Sequence, residues 1–239
     1  MRILVIGDTH LPCVRKGYLD FCKYLKRHER CDTVIHIGDV VDEHAVSPSH
    51  LALPDAPGAR EEIAETRDAV RNWYGAFPNT KVCIGNHDER PYRAAAMMHI
   101  GQERMRTLNE VWGTPRWQWE YDYVIDGILF THRTNNGGQC PAFNAMRQRA
   151  MSVVLGHHHS CSGVRTMVNH ERRLFGVDVG AGCDDSAIQF RYFRAAQARS
   201  VISAAVIIDG YPQVYVMPMG EGEQFHDSNY SGKPANHYD

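Results

Sequence analysis

RILVIGDTH, residues 2–10, decides the fold: an apolar run over 2–6 breaks at Gly7 into the polar cluster Asp8-Thr9-His10. The unit recurs. Residues 33–37 run into Gly38-Asp39-Val40-Val41-Asp42, and residues 81–84 into Gly85-Asn86-His87-Asp88-Glu89. Short β-branched runs that end in glycine predict strands. The stretches between them, 16–28 and 58–77, predict helices, the second with Ile63, Ala64, Val70, Trp73 and Tyr74 at helical spacing. The order is βαβαβ. In open α/β sheets ligands sit beyond the carboxyl ends of the strands, which is where all three polar clusters fall.

The second half reads differently. Asp126-Gly127 separates apolar runs at 121–125 and 128–131, and Asp209-Gly210 separates runs at 201–208 and 211–217, both strong hairpin signals. Residues 151–155 form a further strand ending at Gly156, and 164–168 with 174–179 a third hairpin. Antiparallel pairs therefore join the parallel units, giving an α/β (α+β) chain of two layered sheets with outer helices. Residues 1–219 are expected as one domain and 220–239 as a polar tail. Residues 47–59, rich in Pro, Ala and Ser, are expected as a loop near the site, and 102–120 and 133–149 as further loops that border it.

Composition bounds the function classes. With 239 residues, 43% hydrophobic, the chain is long enough for one substantial core. Its net charge of −2 gives no overall pull toward nucleic acid or acidic lipid. No apolar run reaches the roughly 18 residues of a membrane span, and no leader precedes the first strand, so a cytoplasmic location is expected. The seven cysteines contain no Cys-x-x-Cys pair and suit reduced thiols. Between Lys81 and Lys233 lysine is absent while arginine recurs, and a guanidinium grips phosphate oxygens in a bidentate way.

Two later clusters complete the chemistry: His132 after the strand at 128–131, and His157-His158-His159 after Gly156. With Asp8, His10, Asp39, Asn86 and His87 they supply carboxylate, imidazole and carbonyl donors, the set that holds Mn, Fe or Zn. Two such ions about 3.5–4 Å apart clamp a phosphoryl group and bring a bridging water to hydroxide near neutral pH. Asp8 and His10, two apart on an extended backbone, are expected to face one ion. Asp39 has two oxygens with which to bridge a pair of ions, and Asp42 follows closely enough to hold the imidazole of His87. By strand alternation His157 and His159 share a side and His158 faces away as a bystander.

Taken in order, D-x-H, GD-x-x-D, GNH-D/E, H and GH-x-H, the clusters from Asp8 to His159 resemble the calcineurin-like metallophosphoesterase superfamily. The resemblance implies a four-layer α/β/β/α sandwich of two mixed sheets flanked by helices. It implies one divalent ion on Asp8, His10, Asp39 and His159 and another on Asp39, Asn86, His132 and His157, manganese first and iron or zinc as alternatives. His87 becomes the acid on the phosphate side. Two positions depart from the family pattern: Arg133 follows His132 where glycine is common, and His158 stands where a small hydroxyl residue is usual. Arg90 and Arg133 are the expected substrate contacts. Arg90 and Arg93, directly after the third cluster, and the stretch Phe190-Arg191-Tyr192-Phe193-Arg194 favour a phosphodiesterase acting on nucleotides or nucleic acid. A phosphomonoesterase is the alternative, and a scaffold that keeps the fold without catalysis the remote one.

Overall fold

The computed structural model describes residues 1–47, 56–187, 190 and 199–218. The first parallel units are as expected: β1 (Arg2–Ile6), α1 (Tyr18–His28), β2 (Thr33–His36), α2 (Ala59–Ala76) and β3 (Thr80–Cys83). Then come α3 (Arg90–Met97), α4 (Leu108–Trp112), β4 (Gln118–Glu120), β5 (Asp122–Ile125), β6 (Ile128–Thr131) and α5 (Pro141–Arg149). β7 (Ser152–Leu155), β8 (Ser162–Val168), β9 (Arg173–Val179), β10 (Ser203–Ile208) and β11 (Tyr211–Val216) follow.

One sheet has the order β11-β10-β1-β2-β3-β4 and the other β5-β6-β7-β9-β8. Both are mixed. β1, β2, β3 and β4 run parallel while β10 is antiparallel to β1 and β11 to β10. In the second sheet β6, β7 and β9 are parallel, with β5 and β8 antiparallel at the edges.

Strand alternation builds the layers. Along β1, Leu4 and Ile6 pack on Tyr18, Phe21 and Leu25 of α1 and on Val70 and Trp73 of α2. Ile3 and Val5 turn the other way, onto Phe130, Val154 and Val177 of the second sheet. That sheet's far face, Leu129, Val153 and Leu155, is covered by Ala142, Ala145 and Met146 of α5. Each large side chain so buried contributes about 1.5–3 kcal/mol. The result is the four-layer α/β/β/α sandwich.

Two expectations change. Residues 102–120 and 133–149, expected as loops, carry α4, β4 and α5. Each element is short, and α5 buries small Ala142 and Ala145, which leaves no strong apolar stripe in the sequence. α3 was likewise hidden, since among its eight residues only Ala95 is buried. Most of the expected loop at 47–59, the tail at 220–239 and Arg191 to Arg194 lie outside the described residues. Among the described residues no helix is long and apolar enough to cross a membrane.

Candidate metal centre

The loops after β1, β2, β3, β6 and β7 meet at one end of the two sheets, and the side chains singled out by sequence converge there. Three groups have ligand atoms within 4.8 Å of one another: Asp8, His10 and His159; His10, Asp39 and His87; and Asp39, His132 and His157. Asp39 Oδ2 lies 3.6 Å from His10 Nε2 and 3.3 Å from His132 Nε2, so one carboxylate oxygen faces both halves of the cluster. Asn86 Oδ1 is 3.2 Å from His132 Nε2, and Asp8 Oδ2 is 3.3 Å from His159 Nε2. His158 belongs to none of the three groups.

The way these residues converge differs from simple strand alternation. His10, Asp39 and His157 all take left-handed backbone, with φ of 46°, 48° and 68°. Turns, not extended segments, therefore bring His10 beside Asp8 and separate His157 from His159. Such backbone costs on the order of 1–3 kcal/mol at each position and persists only where the surroundings over-determine it. Here they do: the backbone N–H groups of Thr9 and His10 both donate to Asp39 O, at 3.1 and 3.0 Å. Two glycines allow the close approach. A Cβ on Gly85 would stand 2.2 Å from Asp39 N and Oδ1, and one on Gly38, at φ 105°, would stand 2.7 Å from the His132 ring.

Hydrogen bonds orient the donors inward. His10 Nδ1 is 2.9 Å from Asp42 Oδ1 and His132 Nδ1 is 3.1 Å from Ile37 O, which leaves each Nε2 facing the centre. His10 Nε2 and His159 Nε2 then stand only 3.1 Å apart, and Asp8 Oδ1 is buried with no hydrogen-bond partner among the described residues. Two ring nitrogens in such close approach and an orphaned buried carboxylate oxygen are an arrangement that a cation between them would satisfy. The donor set fits divalent metals.

Electrostatics follow from the same packing. Burial, helped by His87, pushes His10 down to about 4, and burial with His132 does the same to His157. Both rings are thus neutral near pH 7, the coordinating form. Burial opposes ionisation of Asp39, yet His132 and His87 hold its carboxyl well below the usual range. His87 is pulled down by burial and pushed up by Asp39 and Asp42, with a net rise.

Asp42 sits under two rings at once, since its Oδ1 is 3.0 Å from His87 Nδ1 as well as 2.9 Å from His10 Nδ1. The sequence spacing points only to His87 as its partner; the second ring, His10, is brought to it by the fold. Arg90 is half-buried: its NH1 donates to Asp42 O at 2.6 Å and its NH2 reaches His87 Nε2 at 2.9 Å. It thus occupies the side of His87 that a proton on Nε2 would take. Arg133 is exposed and lines the cavity beside Asn86 and His132.

Some supporting residues were not foreseen. Asp88 clasps two loops, accepting from Val41 N at 3.2 Å and Gly85 N at 2.8 Å. His36 is buried beneath the site, 3.0 Å from Thr9 Oγ1. Cys183 Sγ and Ser200 Oγ approach His159 Nδ1 at 3.5 and 3.4 Å. Asp88 lay within a quoted cluster; the others carry no local signal, because only tertiary packing brings them to the site.

Gene 54 protein of Mycobacterium phage D29 is 25% identical over 206 residues, which cover 75% of this chain and 78% of that protein. Among solved structures, the phosphoesterase Yfce from E. coli is similar over 91% of this chain and 97% of its own, at 10% identity and TM-score 0.47. Chaetomium thermophilum Vps29 is similar over 95% and 94%, at 13% identity and TM-score 0.47. The calcineurin-like phosphoesterase family model matches residues 1–161, the span that contains every metal-donor side chain described above, and the chain belongs to that family.

Proposed function

We propose that the chain is a dinuclear metal-dependent phosphoester hydrolase whose substrates are phosphodiesters of nucleotides or nucleic acid. The observation that carries the reading is the position of Asp39 Oδ2 between His10 Nε2 and His132 Nε2, one carboxylate shared by two clusters of donors. Asp8, His10, Asp39 and His159 would hold one ion, and Asp39, Asn86, His132 and His157 the other. The donors are nitrogen and oxygen without thiolate, which suits manganese and admits iron or zinc. Bound there, the pair would supply positive charge to the phosphoryl oxygens and an activated bridging water as nucleophile.

The chain's own groups do the rest. Asp42 fixes the Nδ1 side of both His10 and His87, so that each Nε2 points into the centre. Arg90 moves from His87 Nε2 to a phosphate oxygen as substrate enters, and His87 Nε2 is then free to carry the proton delivered to the leaving oxygen. Arg133, on the open side, meets the non-reacting phosphate oxygens. The seven free cysteines fit a reducing, cytoplasmic setting.

The test is hydrolysis of p-nitrophenyl phosphate against bis(p-nitrophenyl) phosphate with manganese and with chelator. Cleavage of the diester that chelator abolishes is expected. Turnover of the monoester alone would replace the diesterase by a phosphomonoesterase.

A further inference from the structure

The cavity beside Asn86 and His132, about 230 Å³, shares Ile84, Glu89 and Tyr121 with a larger cleft of about 540 Å³. The candidate centre therefore opens into a groove with room for more than a phosphoryl group, and the cleft alone has the size of a small-molecule site, roughly 300–1,000 Å³. Its walls come from α3, α4 and β4, the short elements absent from the sequence reading.

The chemistry of the walls is specific. Trp117 and Trp119 stand 5.9 Å apart at 55°, and Tyr92 and Tyr121 complete an aromatic lining. The rings are held: Trp117 Nε1 donates to Phe77 O at 2.8 Å, and Tyr92 Oη donates to Arg106 O at 2.6 Å. Trp119 Nε1–H is buried without an acceptor among the described residues. The side chains of Gln102 and Asn109 add amide donors and acceptors. The lining charges are Glu89 and Glu120 against Arg106, a balance that repels rather than collects further phosphates.

Flat aromatic faces, hydrogen-bonding amides, a donor lacking its acceptor and a slightly acidic lining suit an uncharged heterocycle with polar edges. We propose that this cleft takes a single nucleoside, the base against Trp119 and Tyr121, while its phosphate lies at the metal centre. The assignment rests on the phosphodiesterase reading above and narrows it to nucleotide esters, because a polyanionic strand would have to run past Glu89 and Glu120. Stacking on aromatic side chains is tolerant of base identity, so affinity for the nucleoside is expected to exceed discrimination among bases.

Two diesters with one leaving group test it: the p-nitrophenyl ester of thymidine 5′-phosphate and p-nitrophenyl ethyl phosphate, with manganese. The expected kcat/KM ratio is at least about 10 in favour of the nucleotide, falling toward unity in Tyr121→Ala and Trp119→Leu. Tyr121 is 60% exposed, so its variant does not depend on the core. A ratio near unity in the wild type, or one that survives both substitutions, overturns the cleft and leaves the hydrolase reading intact. If neither ester is cleaved, the diesterase reading falls and equilibrium dialysis with labelled thymidine, without metal, decides the cleft. Saturable binding that weakens about 10-fold in Tyr121→Ala then upholds it, and absence of binding overturns it. An oligothymidylate that competes better than thymidine 5′-phosphate would place a strand in the groove and overturn the single-nucleoside assignment.

Discussion

At the scale of single residues, Asp39 carries more than any other group. Its Oδ1 accepts the His87 backbone N–H at 2.7 Å, its backbone oxygen ties the first loop, and its Oδ2 faces both donor clusters. Asp39→Asn is therefore expected to lower activity by more than about 100-fold, beyond the loss typical of outer hydrogen-bond partners, and to reduce bound metal. Metal analysis beside the rate checks this, and a wild-type rate would end the bridging assignment. His87 differs, because its ring is oriented by Asp42 and contacted by Arg90. His87→Ala is expected to keep both ions and lose about 10²–10⁴ in rate, the usual range for a positioned proton donor. Loss of an ion instead would make His87 a ligand.

At the scale of elements, four of the strands that point at the site were legible because glycine ends the apolar run (Gly7, Gly38, Gly85 and Gly156), while β6 runs straight into His132, whose signal is only its place after a buried strand. The backbone at His10, Asp39 and His157 was not legible, since left-handed turns are set by the contact between loops rather than by local sequence. α3, α4 and β4 were hidden for a related reason: they are too short for a periodic stripe, and α4 and β4 are held by Trp112, Trp117 and Trp119 packing into or against the first core. α5 offers a prediction of its own. The carboxylate of Asp178 on β9 accepts from Ala142 N at 3.0 Å, and burial, opposed by that bond and by Arg165, raises it from 3.8 to about 7. The folded chain thus holds a proton that the unfolded chain releases. The stability this contributes is full below about pH 4 and is lost as pH rises through about 7. Asp178→Asn keeps an acceptor for Ala142 and removes the titration. The variant should gain on the order of 1–3 kcal/mol on the wild type between pH 4.5 and pH 8 in urea unfolding. A difference that stays constant across that range would contradict the account.

At the scale of the molecule, the two mixed sheets form a rigid platform from which five loops deliver donors to one end, and the inter-sheet core of Ile3, Val5, Phe130, Val154 and Val177 fixes their separation. The arrangement concentrates buried Asp8, Asp39 and Asp42 with five histidines, and holding them together without cations works against folding. Manganese is accordingly expected to raise Tm, and at 100 times its dissociation constant each ion adds about 2.7 kcal/mol. A Tm indifferent to manganese and chelator would contradict the site. The most direct measurement is anomalous X-ray scattering from crystals grown with manganese. Two peaks about 3.5–4 Å apart are predicted, with Asp39 between them and Asn86 and His132 on one and Asp8 and His10 on the other. A single peak, or none at the loop ends, would contradict the dinuclear centre.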